Sequence, residues 1–155
     1  MPKHQLRPQG EFLAAKPLRR FAAMFYDMLL CIALMMVVTL LYQQGLLRAI
    51  YGGEQLLAMA NAGALDGDPM LGSLVFISVF GFFAKFWTYS GQTLGMQVWG
   101  LRVQNADGSA ISLWQALLRF VVALASWLCL GLGFFWMLWD KQSRTWHDMY
   151  SDSQI

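Results

Sequence analysis

The sequence predicts an all-α membrane protein with about three transmembrane helices and a short cytoplasmic β-hairpin between the second and third. Three observations predict it. The 155 residues are 57% apolar and only 13% charged, about half the charged share of a soluble domain. The apolar residues gather in three runs, 21–42, 70–87 and 113–139, each close to or above the ~20 residues that cross a bilayer as a helix. Between the last two runs, Val98, Leu101, Val103 and Ile111 flank Asn105-Ala106-Asp107-Gly108, an alternation closed by an Asp-Gly turn signal.

Residues 1–16 contain Pro2, Pro8 and Gly10 and read as a flexible tail. The first twenty residues carry Lys3, Arg7, Lys16, Arg19 and Arg20 against Glu11, so the positive-inside rule puts the tail in the cytoplasm. A signal peptide is not expected, because the following apolar run is too long and lacks a small-residue cleavage site. Pro17 suits the first turn of a helix, and Tyr42 suits the headgroup level at its far end. Residues 43–69 are net acidic, Arg48 against Glu54, Asp66 and Asp68, as an external loop would be. Segments 46–50 and 55–64 suit short interfacial helices, and 66–69 suits a turn.

The second run carries Gly72, Ser73, Ser78 and Gly81, small residues that allow close helix approach. Lys85 snorkels at its inner end, and Trp87 and Tyr89 mark that boundary. The hairpin of residues 90–112 then lies inside, resting on the membrane surface. The third run reads as one tilted helix with Arg119 near its inner end, as a helix broken at Gly131-Leu132-Gly133, or as a re-entrant pair. These versions put the C-terminus on opposite sides; three spans are preferred.

Function classes narrow from the same residues. A formal net charge of +2 gives no footprint for nucleic acid. Cys31 and Cys129 fall inside apolar runs and read as packing residues. With His4 and His147 they form no ligand spacing, so no metal or other cofactor is expected. Phosphate loops, dinucleotide fingerprints and nucleophile elbows are missing, and enzymatic chemistry is not expected. The expected partner is the bilayer, together with a second copy or another membrane protein.

Asp27 is the most telling residue, because an acid at membrane depth costs at least a few kcal/mol unless paired, neutralised or hydrated. Arg20 lies about two helical turns before it and shares its face. His147 beside Asp148 invites acid–base chemistry, but a cap or hydrogen-bond anchor is the better reading, with Asp148 bridging back to Arg144. Gly91-Gln-Thr93-Leu-Gly95 is compatible with an anion-binding nest, but a tight packing turn is favoured.

Three local patterns now line up: Arg20-Phe-Ala-Ala-Met-Phe-Tyr-Asp27; Gly91-Gln-Thr93-Leu-Gly95 with Gly100-Leu-Arg102-Val, Asp107-Gly108 and Leu118-Arg119; and Arg144-Thr-Trp-His147-Asp148. Together, over about residues 17–150, they resemble the RDD family of small bacterial membrane proteins, named for one arginine and two aspartates. The resemblance assigns the arginine and first aspartate to Arg20 and Asp27. The second aspartate matches Asp148, with Asp140 a weaker match. The family often continues past His-Asp with a small-residue and β-branched segment, which this chain lacks. The resemblance implies transport of an unidentified ligand or cation/proton exchange across the inner membrane. Two alternatives therefore stand: a small exchanger with Asp27 as coupling carboxylate and Arg20, Arg119 and Asp148 around it, or a non-transporting scaffold whose Arg/Asp cluster is structural.

Overall fold

The computed structural model describes residues 6, 15–129, 131–141, 144–153 and 155. Most of the predicted flexible basic tail, 1–16, lies outside them. The chain divides into two compact units, one of residues 1–28 and 82–155, the other of residues 29–81.

Helix α1 spans Pro17–Leu40. It continues through a π-helical stretch, Leu41–Leu47, and α2, Arg48–Tyr51, so the helix runs well past the predicted end at Tyr42. Helix α3 covers Gly53–Asn61, and α4 covers Pro69–Tyr89. The continuous Pro17–Tyr51 and α4 are the two helices long and apolar enough to cross a membrane. At 1.5 Å per residue α4 is about 32 Å long, enough for a hydrocarbon core of about 30 Å. Only 6% and 11% of their most apolar windows are buried. A core helix of a soluble protein hides such a window, so these faces are made for lipid.

The second unit has its own small core. Tyr42, Leu47 and Leu56 are buried, with Leu65 and Leu71 packed against them. The Tyr42 hydroxyl donates to Asp68 Oδ2 at 2.6 Å, and Asp68 Oδ1 accepts the Met70 amide at 2.9 Å. Asp68 thus ties the π-helical stretch to the first turn of α4.

In the first unit, α5 (Leu94–Val98) opens on Thr93, whose hydroxyl accepts the Met96 amide at 3.2 Å. Helix α6 (Leu113–Leu128) opens on a capping box: Ser112 Oγ accepts the Gln115 amide and Gln115 Oε1 accepts the Ser112 amide. Helix α7 (Leu132–Phe135) leads into a 3-10 turn, Trp136–Leu138, and α8 spans Trp146–Tyr150.

Two expectations need correction. The β-hairpin is absent. Gln104 and Ser109 meet as an isolated bridge, and no strand forms among the described residues. Backbone and side-chain groups there bond elsewhere: the Val103 amide donates to Gly91 O at 2.6 Å, Gln92 Nε2 to Leu101 O at 2.6 Å, and Asn105 Nδ2 to Ala110 O at 3.0 Å. Leu101, Val103 and Ile111 are buried rather than laid on a membrane surface; Val98 stays exposed.

The third crossing is also absent. Instead of one long helix, the last apolar run breaks after α6. Gly131 sits in the left-handed region (φ +79°), a conformation that side chains with a Cβ rarely adopt. Helix α7 then folds back, placing the Phe134 ring 5.9 Å from Trp127 and 5.1 Å from His147. Two spanning helices remain, with a broken, folded-back third segment.

Candidate functional site

The first unit holds two buried carboxylates, and each was expected to matter. Their surroundings differ.

Asp148 lies in the first turn of α8 and is 1% exposed. Thr145, just before α8, donates both its amide (3.1 Å) and its hydroxyl (2.9 Å) to Asp148 Oδ2. Arg20 of α1 donates Nη1 to the same oxygen at 2.8 Å. Arg119 of α6, 1% exposed, donates Nη1 to Oδ1 at 2.6 Å. Burial alone would raise the carboxyl's pKa. The charges of Arg119 and Arg20 and the Thr145 amide outweigh it and hold Asp148 well below the usual carboxylate range. It is a permanent anion that joins three helices.

The arginines reach further. Arg20 Nη2 donates to Ile155 O at 2.9 Å, and Arg119 Nη1 donates to Ser153 Oγ at 2.6 Å. The Ser151 and Ser153 hydroxyls are 2.7 Å apart, and Gln115 Nε2 donates to Ser151 O at 3.0 Å. The Arg119 guanidinium stands 5.3 Å from the centre of the Trp87 ring, a cation–π distance. The last residues of the chain are thus bound into the cluster; sequence reasoning gave them no role.

His147 is buried, with Nε2 3.0 Å from Thr145 Oγ1. That hydroxyl spends its only hydrogen on Asp148, so the imidazole carries its proton on Nε2. Burial, with the Arg119 charge, lowers its pKa to about 3, although Asp148 pulls the other way at 3.9 Å. His147 is neutral at physiological pH. Its side-chain hydrogen bond holds the Thr145 hydroxyl, which is itself committed to Asp148.

Asp27 lies in the other setting. Its Oδ2 accepts the Thr93 hydroxyl, and its Oδ1 accepts the Gly95 amide at 3.0 Å. Both donors belong to the start of α5. The approach is so close that a Cβ on Gly95 would meet Ala23 O at 2.5 Å and Asp27 Oδ1 at 2.8 Å. Glycine is therefore required there by space. Among the described residues no cationic side chain bonds Asp27.

The predicted residues thus sort into separate groups. Arg20, Arg119, Asp148 and His147 come together. Asp27, Thr93 and Gly95 come together. Gly91 belongs to the turn before α5, its carbonyl accepting the Val103 amide. Arg20 does not pair with Asp27, and Arg144 does not pair with Asp148. Arg144 instead bonds Asp140 Oδ2 through its amide (2.9 Å) and Nε (3.3 Å), at a half-exposed surface. Reasoning from sequence missed Thr145, Ser151 and Ser153. Thr145 was legible as the start of a Thr-x-x-Asp capping box; the serines carried no local signal.

Two spanning helices, mostly lipid-facing, and a charged cluster sealed among helix ends define a small integral membrane protein with a buried Arg/Asp centre. The RDD family profile matches residues 14–152, nearly the whole chain, and the protein belongs to the RDD family. Comparison with curated proteins and with solved structures finds no match.

Proposed function

We propose that this protein is a small transporter of the bacterial cytoplasmic membrane that exchanges a cation for protons, with Asp27 as the carboxylate that changes charge. The observation that supports this reading is the chemistry of Asp27's partners. Ionised, Asp27 accepts from the Thr93 hydroxyl and the Gly95 amide. Protonated, its O–H donates back to Thr93 Oγ1, because a hydroxyl serves in either direction. Protonation costs the Thr93 hydroxyl its acceptor but leaves no charged side chain unpaired. Asp148 cannot do this: protonation would strip two buried arginines of the carboxylate they share.

In this reading Arg20, Arg119 and Asp148 are a fixed lock, and the chemistry is non-enzymatic. Two spans are too few to enclose a path, so the working form is a homo-oligomer or a complex with another membrane protein. The basic tail faces the cytoplasm by the positive-inside rule.

A second reading, a non-transporting scaffold, is favoured by one observation: Asp27 also caps α5 and fastens it to α1. Cation-driven proton flux in proteoliposomes separates the two. Asp27→Asn keeps an acceptor for Gly95 and a donor for Thr93, so it folds in both readings. Loss of flux in that variant supports exchange. Absence of flux in both proteins, each folded and inserted, supports the scaffold.

A further inference from the structure

The polarity of α6 is inverted. Its exposed face carries Leu113, Trp114, Val121, Leu124, Trp127 and Leu128, with Leu128 86% exposed. Its buried face carries Arg119 and Ser126 beside the small Ala116 and a single large apolar residue, Phe120. A surface helix in water turns its charges outward and its leucines inward. The reverse is stable only where acyl chains replace water.

Yet α6 is short for a crossing. Its 16 residues measure about 24 Å, against a core of about 30 Å. The chain then reverses at Gly131 and returns. Backbone that turns inside a membrane must satisfy its own polar groups, and among the described residues five amides around this turn are paired. The Cys129 amide donates to Ala125 O (3.0 Å), Gly131 to Ser126 O (2.7 Å), Leu132 to Cys129 O (3.1 Å), and Phe134 and Phe135 to Gly131 O (2.9 and 3.1 Å).

The returning segment lies against those parts of the spanning helices that belong to the same unit. In the returning segment Phe135 is 5.7 Å from Phe21 of α1; on α6, before the turn, Phe120 is 6.0 Å from Phe83 of α4. Trp114 at the entry of α6 and Trp139 after α7 are both exposed, where an interfacial belt needs aromatics. Beyond them Asp148 meets Arg20 and Arg119, and Ile155 O accepts the Ala15 amide at 3.1 Å. The end of the chain returns to where α1 begins.

We infer that α6, the turn at Gly131 and α7 form a re-entrant hairpin, entering the bilayer from the side of the N-terminal tail, turning within it, and leaving on that same side. Its exposed face is covered by the acyl chains of that leaflet, and both chain ends share one aqueous compartment. The inference does not depend on transport.

Cys129 sits at the tip with its side chain exposed, and Cys31 lies within α1. The test is labelling of these native thiols with a membrane-impermeant maleimide in sealed right-side-out and inverted vesicles, with Cys129→Ser identifying which thiol responds. Peptide reporters fused to each end mark their sides. The hairpin predicts no Cys129 labelling from either face, labelling after detergent, and both reporters on one face. Labelling from the face opposite the N-terminal reporter, with the C-terminal reporter also there, would establish a full crossing and overturn the inference. Labelling from the N-terminal face would place the tip in water and overturn it equally.

Discussion

Asp27 and Asp148 are both buried carboxylates that accept amides from the start of a short helix in the same unit, yet their partners differ in kind. Asp148 is held by two guanidinium groups, a hydroxyl and an amide. Asp27 is held by one hydroxyl and one amide. The first arrangement depends on charge and fails when the charge is lost. The second depends on hydrogen bonds to neutral groups, so a change of protonation leaves no charge unpaired. The difference teaches that burial alone does not define an acid's part: charged partners fix Asp148 as an anion, whereas neutral ones leave Asp27 with no charge to balance.

The sharpest way to break the comparison is at Asp148. Arg119→Met leaves the carboxylate with Arg20 alone and removes the contact with Trp87. Unpairing a buried ion pair typically costs about 3–5 kcal/mol, and thermal unfolding in detergent should show a large loss of stability. If Arg119→Met unfolds like the unmodified protein, the cluster is not the lock described. Gly95→Ala comes next. Its methyl must push Ala23 or Asp27 aside, an overpacking that costs about 1–3 kcal/mol. The variant should lose more flux than stability, because Asp27 is displaced; unchanged flux would show that the Asp27 position does not matter.

Acidification probes the Asp148 side through His147. His147 has an ordinary value of 6.5 in the unfolded chain and about 3 in the fold, so its contribution to stability is present above pH 6.5 and lost as pH falls toward 3. Asp148 adds to the loss below its ordinary 3.8. Stability should therefore decline from pH 6.5 downward, with His147 supplying at most about 1.4 kcal/mol per pH unit. His147→Gln should flatten the slope between pH 6.5 and 4; an unchanged slope would show that His147 is not its source. The smallest effect is expected at Thr93→Ser, which keeps the hydroxyl and should retain flux, whereas Thr93→Val leaves an Asp27 oxygen without its donor, at about 1–3 kcal/mol.

The spanning helices were legible in the sequence because hydropathy over a long run is a local property, and membrane depth made Asp27 stand out for the same reason. Capping also left marks: Ser112-x-x-Gln115 and Thr145-x-x-Asp148 read as helix starts. What stayed hidden was set by distant partners. Arg20 and Asp27 share a helix face, but Arg20 turns to Asp148 and Asp27 to α5, and neither choice has a local signal. Asp107-Gly108 and the flanking alternation imitate a hairpin, but the groups that would form the ladder are taken by residues 91 and 92 and by side chains. The inverted polarity of α6 was present in its sequence as Arg119 and Ser126 among apolar residues beyond its first turn. Without the fold-back at Gly131, though, that pattern equally suits a crossing helix.

Infrared difference spectroscopy across a pH titration, on the reconstituted protein and its Asp27→Asn variant, tests the central claim most directly. The account predicts a carboxyl band that gains and loses its proton in the unmodified protein and disappears in Asp27→Asn while the fold is kept. The same band persisting in the variant would assign the exchanging proton to another group and contradict the division of roles between the two aspartates.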